Sequence, residues 1–168
     1  PRAAARGLRP APAAPAAPES GARHWNRLIR PERAVAAVLE PRPDEAKALR
    51  GLGFTSAVAE PAAGVLRGQS ALLALRDSAS PREILLAART FQHAAFELGN
   101  PAIAEYPGSL MGATALLRQS LLDAQWQREQ RVAPGARERA EANPALDALV
   151  PLLARTQKLV FATEDELD

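Results

Sequence analysis

The sequence has no cysteine. Disulfides, thiolate metal sites and cysteine nucleophiles are therefore excluded, and the compartment stays open, because such a chain tolerates any redox environment. Aromatic residues make up only 4% of the chain, and much of its 47% hydrophobic fraction is alanine, so a core built from these residues alone is thin. No run approaches the roughly 18–20 apolar residues of a membrane helix, and the start lacks the continuous apolar stretch of a signal peptide. Charge of one sign is missing too: 21 basic and 19 acidic residues leave a net charge of +2. The basic isoelectric point reflects arginine, whose very high pKa lifts it without making the chain strongly cationic. The arginines are scattered among Glu and Asp, without the clustered basic residues and stacking aromatics that nucleic acid requires. Neither nucleic acid nor a membrane is expected as a partner.

What is present divides unevenly. Residues 1–22 hold five prolines and no apolar periodicity, and read as a Pro/Ala-rich linker or extended loop. Residues 23–168 read as one α/β domain. Pro31 suits the first position of a helix through Val38, and Pro43-Asp44-Glu45 opens a second helix to Arg50, with Gly51 beyond its end. The Gly53–Glu60 run reads as a buried strand, Pro61–Gln69 as a loop at its carboxyl end, and Ser70–Arg76 as a second strand. Ser80-Pro-Arg-Glu83 fits a capping box, which favours a short helix near 82–87 before a strand near 90–97. Helix, glycine and short apolar strand in this rhythm predict parallel strands.

The longest patterned stretch runs from Tyr106 to about Arg131. Leu110, Ala113, Leu117, Leu121 and Ala124 share one helical face, Ser109 is placed to cap it, and Gln119, Asp123, Gln127 and Gln130 fall on a face that can stay wet. Pro134-Gly135 ends this helix, and a charged stretch follows over Arg137–Glu141. Asn143-Pro144 starts another helix that Pro151 interrupts, and Lys158–Thr163 is the last strand. Thr163-Glu-Asp-Glu166 is a helix-start pattern, in which Asp165 and Glu166 read as capping charges. A chain that stops there and does not open on Met reads as a piece of a longer protein, truncated at both ends.

The chemistry-bearing residues are few. The two histidines, His24 and His93, lie 69 positions apart, and no His-x-His or His-Glu-x-x-His occurs. His93 in its strand is either a packed, hydrogen-bonded histidine or one that points into a site. His24 beside Trp25 reads as a surface or docking contact. Ser70, Ser109 and Ser120 sit in no nucleophile elbow. Gly108 and Gly112 read as small residues that let a helix approach a sheet. Arg67-Gly-Gln69, in a loop after a strand, is the better place for a ligand pocket. His93, Arg67, Gln69 and Tyr106 are thus the substrate-binding candidates, with no catalytic or metal residue among them.

Several blocks in order carry a family resemblance: Gly53-Phe-Thr-Ser-Ala-Val58, Leu66-Arg-Gly-Gln-Ser-Ala-Leu72, Gln92-His-Ala-Ala-Phe-Glu97, Tyr106-Pro-Gly-Ser-Leu-Met-Gly-Ala113, Leu116-Leu-Arg-Gln-Ser-Leu-Leu-Asp-Ala-Gln-Trp126 and Leu159-Val-Phe-Ala-Thr-Glu-Asp-Glu-Leu-Asp168. Together, over residues 24–168, they resemble the amidohydrolase family in its imidazolonepropionase-like branch. The resemblance implies part of a (β/α)8 TIM barrel of the metal-dependent hydrolase type. It also implies hydrolysis of amide or cyclic-amide C–N bonds by water activated on zinc or a similar divalent metal. The family's ligands, a His-x-His, a bridging Lys, two later His and an Asp, match no position here: the first pair would precede Pro1, Phe161 and Ala162 stand where a His is expected, and Lys158 lies too early in its strand. The segment would supply scaffold and substrate-side loops, completed by the rest of the barrel or a partner chain, and a homo-oligomer stays open. The alternatives are a non-catalytic scaffold of the same kind and an independent α/β binding or assembly domain.

Overall fold

The computed structural model describes residues 24–78, 80–132 and 143–163. The Pro/Ala-rich start, the charged stretch after Pro134 and the terminal helix-start pattern lie outside the described residues. Six strands form two three-stranded sheets: β1 (Ser56–Ala59), β3 (Ala71–Ala74) and β4 (Leu85–Ala87) in one, and β2 (Leu66–Gln69), β5 (Phe91–Ala95) and β6 (Lys158–Ala162) in the other. Five α-helical segments accompany them among the described residues, α1 (Pro43–Gly51), α2 (Pro81–Ile84), α3 (Leu110–Val132), α4 (Pro144–Asp147) and α5 (Val150–Leu153), with 3₁₀ turns at Val35–Val38 and Pro101–Ile103.

The expected parallel rhythm holds for one pair only, β5 with β6; the pairs β1–β3, β3–β4 and β2–β5 are antiparallel. No barrel is formed by the described residues. The cause is a hairpin. β2 and β3 are separated by Ser70 alone and run against β5 and β4, so one long strand pair contributes to both sheets. Chain reversal at 75–84 makes that pairing antiparallel, whereas a parallel pair needs a crossover. The β5–β6 crossover contains α3, α4 and α5.

Two further expectations give way. Residues 66–69 are a strand, not a loop, because Gly68 takes φ +117° and absorbs a register slip of one residue: Leu66 faces Ala94 and Gly68 faces His93. Such a bulge hides a strand from pattern reading. The segment after Pro31 forms only a 3₁₀ turn, Val35–Val38, since residues 28–34 lie along β2: Arg30 N–H donates to Leu66 O at 2.8 Å and Gln69 N–H to Arg33 O at 2.7 Å. Ser80 makes no side-chain cap; Glu83 is engaged by the Ser78 hydroxyl at 2.5 Å instead.

Helix α3 spans the expected stretch, and Ser109 Oγ accepts the Gly112 N–H at 3.1 Å. Its buried residues are Ala113, Leu116, Ser120, Ala124 and Gln127; of the predicted face Ala113 and Ala124 are buried and Leu117 and Leu121 pack part-buried against the core, so the face is shifted and not replaced. Leu110 is 59% exposed, while Gln127, expected to be wet, is buried and donates to Asp147 Oδ1 at 2.8 Å. Asn143 caps α4 by accepting from the Ala145 and Leu146 N–H groups; the helix is interrupted at Ala148 and Leu149, and Pro151 sits in the first turn of α5, where its missing N–H is tolerated. The face of β2, β5 and β6 bearing Leu66, Ala94, Leu159 and Phe161 packs with Ala113, Leu116, Ala124 and Leu149 into the main core. A smaller core joins Val35 to Ala59, Ala71 and Leu73.

Truncating Leu116 to Ala is expected to cost about 2–5 kcal/mol, whereas Leu110→Ala should stay within about 0.5 kcal/mol. Urea unfolding of the two variants separates the observed helix register from the predicted one. Gly68→Ala should cost at least about 2–3 kcal/mol, because the backbone sits where side chains are strained and the new Cβ would stand 2.9 Å from Arg33 Cβ. Its measure is the same unfolding curve.

Candidate functional site

In a parallel strand pair the carboxyl ends are where ligands gather. Toward that end of β5 the structure places Gly64, Arg67 and Glu97 beside His93, the middle residue of the strand, with Glu60 against the ring. Side chains alternate along β5, so with Gln92 and Ala94 on the core side, His93 and Ala95 belong to the other face. The bulge sets Arg67 and Gly68 together opposite His93. Glu60 follows directly on β1 and reaches across from the other sheet.

His93 is 3% exposed, and its Nδ1 stands 3.5 Å from Glu60 Oε2. Its Nε2 is buried with no hydrogen-bond partner among the described residues. Burial pushes the His93 pKa below the ordinary value, Glu60 pulls it up, and the Arg67 charge pushes it down. Arg67 is itself tied: its Nε donates to Gly64 O at 3.2 Å and its Nη2 stands 3.7 Å from Glu97 Oε2. The same Glu97 oxygen accepts the Gly64 N–H at 2.7 Å. The Arg67–Glu97 pair therefore staples the turn at Gly64, whose φ of +119° and close approach to Leu28 O suit glycine.

Of the four residues predicted to bind substrate, two come together. His93 and Arg67 share the cluster. Gln69 stands at the other end of β2, directly opposite Gln92 and on the core face. Tyr106 lies in the loop before α3, where its hydroxyl donates to Gly112 O at 2.9 Å and its ring stacks on Trp25 at 6.1 Å. There it also settles the glycines. A side chain at Gly108 would meet open space, while Gly112 packs on Pro107 and Tyr106 of its own loop, so neither serves approach to a sheet. His24 is buried, not a surface contact; its Nδ1 accepts the Asn26 N–H at 3.1 Å, and only the neighbouring Trp25 is exposed. Ser70 is fully buried in backbone pairing, so it has no room to act as a nucleophile. Glu60 and Glu97 were missed by sequence reading. Glu97 falls two residues past a strand end and Glu60 one, and a charged residue just beyond a strand end is the signal that could have marked each as a candidate.

A groove of about 350 Å³ runs along α3 and α5 between Leu117, Leu121, Leu122 and Leu153. It gathers no convergent polar groups. Among the described residues, no group of three or more His, Cys, Asp or Glu side chains is placed to hold a metal. No helix among them is long and apolar enough to cross a membrane.

No family model and no curated protein sequence matches the chain. Among solved structures, a crystal structure of an amidohydrolase from Thermotoga maritima MSB8 superposes with a TM-score of 0.64, at 18% identity, over 81% of this chain and 38% of that one. The fold is amidohydrolase-like. The chain thus spans well under half the length of that neighbour.

The two charges around His93 act on it with opposite signs. Removing the positive one in Arg67→Ala should raise the His93 pKa, and neutralising the carboxylate in Glu60→Gln should lower it further. The wild-type value lies below the ordinary one, so the unfolded chain takes the proton first. Stability is therefore full above about pH 6.5 and is lost as pH falls through the window down to the folded value. Proton NMR titration of the ring Cε1–H reads all three; shifts of equal sign in the two variants would contradict the geometry.

Proposed function

We propose that this chain is part of an amidohydrolase-like hydrolase acting on amide or cyclic-amide C–N bonds, with this segment giving scaffold and substrate-side loops. The observation that carries the reading is the position of the His93, Glu60, Arg67 and Glu97 cluster. It surrounds the middle and the carboxyl end of β5, in a fold similar to that of an amidohydrolase. An amide substrate presents an N–H donor and a carbonyl acceptor, and a neutral buried imidazole suits the first of these. Arg67, engaged with Glu97, serves to shape the Gly64 turn rather than to bind ligand directly. Gln69 and Tyr106 take scaffold roles.

The resemblance implies zinc or a similar divalent metal as the water activator. The described residues do not make up its ligand set. The outer edge of β6 pairs with no strand among the described residues. That edge is where the rest of the same barrel, or a partner chain, would continue the sheet. The segment by itself is expected to be inactive.

The test is made on the full-length polypeptide, by metal analysis together with a panel of cyclic imides and N-acyl amino acids. Turnover is expected on at least one class. His93→Ala should lower kcat/KM by about 10²-fold or more, while Gln69→Ala should leave kcat/KM within about threefold if Gln69 has only a scaffold role. No turnover and no stoichiometric metal would replace this reading with a non-catalytic scaffold that acts by assembly.

A further inference from the structure

The ring of His93 meets a carboxylate at one nitrogen and nothing at the other. Nδ1 stands 3.5 Å from Glu60 Oε2, and Nε2 is buried with no partner among the described residues. A bare lone pair on Nδ1 would face the lone pairs of the carboxylate and repel them. The proton of the neutral ring therefore belongs on Nδ1, toward Glu60, and the lone pair is left on Nε2. A doubly protonated ring is opposed by burial and by Arg67. Arg67 and Glu97 are satisfied by each other and by Gly64, so among these charged groups it is Glu60 that faces the ring.

We propose that Glu60 is a positioning residue that holds His93 as the Nδ1–H tautomer, so that Nε2 accepts the N–H of an amide-type ligand. This deepens the hydrolase reading and rests on it for the class of ligand. An unpaired buried acceptor is costly to keep, and a ligand N–H is the group that repays it. A metal on Nε2 fits less well, because Glu60 stands at the opposite edge of the ring and cannot share in binding it. Glu60 is part-exposed at the end of β1, so its replacement removes the carboxylate without opening a core cavity.

The tautomer is read by ¹⁵N NMR on full-length protein labelled at histidine, with His93→Gln assigning the signals. The wild type is expected to show Nδ1–H alone. Glu60→Ala should lose that single signature and give a mixture of tautomers. Glu60→Gln should restore it, since the carboxamide oxygen still accepts. Succinimide, which carries an N–H, should shift the Nε2 resonance, and N-methylsuccinimide, which lacks one, should not. An Nε2–H tautomer in the wild type, an unchanged tautomer in Glu60→Ala, or equal responses to the two imides would overturn the proposal. The tautomer and the imide shift need no turnover. If both appear as stated while every amide in the panel resists cleavage, Nε2 stands as a binding acceptor and only the hydrolase reading falls.

Discussion

The structure depends on one strand pair that changes sheets. The chain from Leu66 to Ala74 runs against the chain from Leu85 to Ala95, and the crossing point is Ser70. Ser70 is fully buried, so its backbone groups must be paired where they stand. Its N–H donates to Phe91 O and its carbonyl accepts from Thr90 N–H, both at 3.0 Å, while its hydroxyl lies 2.8 Å from Thr90 Oγ1. The junction fixes where each sheet ends. β1 pairs beside β3 with Ala59 opposite Ala71, which delivers the next residue, Glu60, to the boundary between the sheets. Without the switch at Ser70, Glu60 and His93 would belong to unrelated surfaces.

The electrostatics of that boundary are finely opposed. A protonated His93 at 3.5 Å from the carboxylate would gain about 4–5 kcal/mol of gross Coulomb energy at an effective dielectric near 20. Burying the charged ring costs several kcal/mol in lost hydration, and the Arg67 charge adds to that cost. Burial wins, and the ring stays neutral. The margin between such terms is small, which is why a single neighbouring charge can move the equilibrium. The Arg67–Glu97 pair matters here as a tether: by stapling Gly64 it holds the Arg67 charge at a set place beside the ring.

Local chemistry was legible in the sequence where it was self-contained. The Ser109 cap, the Asn143-Pro144 start, the break before Pro151 and the strands around Val58, Leu73, His93 and Val160 all depend on neighbours a few positions away. Strand direction was not legible, because it depends on which distant segment closes against which. Nor was β2, whose period is broken at Gly68 by a bulge that only its partner strand reveals. Within the site, His93 and Arg67 could be picked as polar residues near a strand. That Glu60 and Glu97 are their partners could not be read, since the contacts span 33 and 30 positions. Tyr106 stands apart from that cluster, tying its own loop to α3 through its hydroxyl, a contact within six positions.

The shifted face of α3 has the same origin. Periodicity finds the stripe richest in large apolar residues, but the helix turns small ones inward, with Ala113, Ser120 and Ala124 against the sheet and Leu110, Leu122 and Trp126 outside. Ala113 and Ala124 join Leu116 in the core that holds Leu66 and Ala94, and the buried polar residues are satisfied, Ser120 by the Leu116 carbonyl at 2.9 Å and Gln127 by Asp147. β5 then has two faces. Ala94 on one side must stay small because a helix-packed core presses on it. His93 on the other is just as buried, between Gly68 and Val160 of the neighbouring strands, and has Glu60 at its Nδ1, so packing and polar contacts both act on it. A substitution at Ala94 should therefore be felt in stability and one at His93 in stability and binding alike.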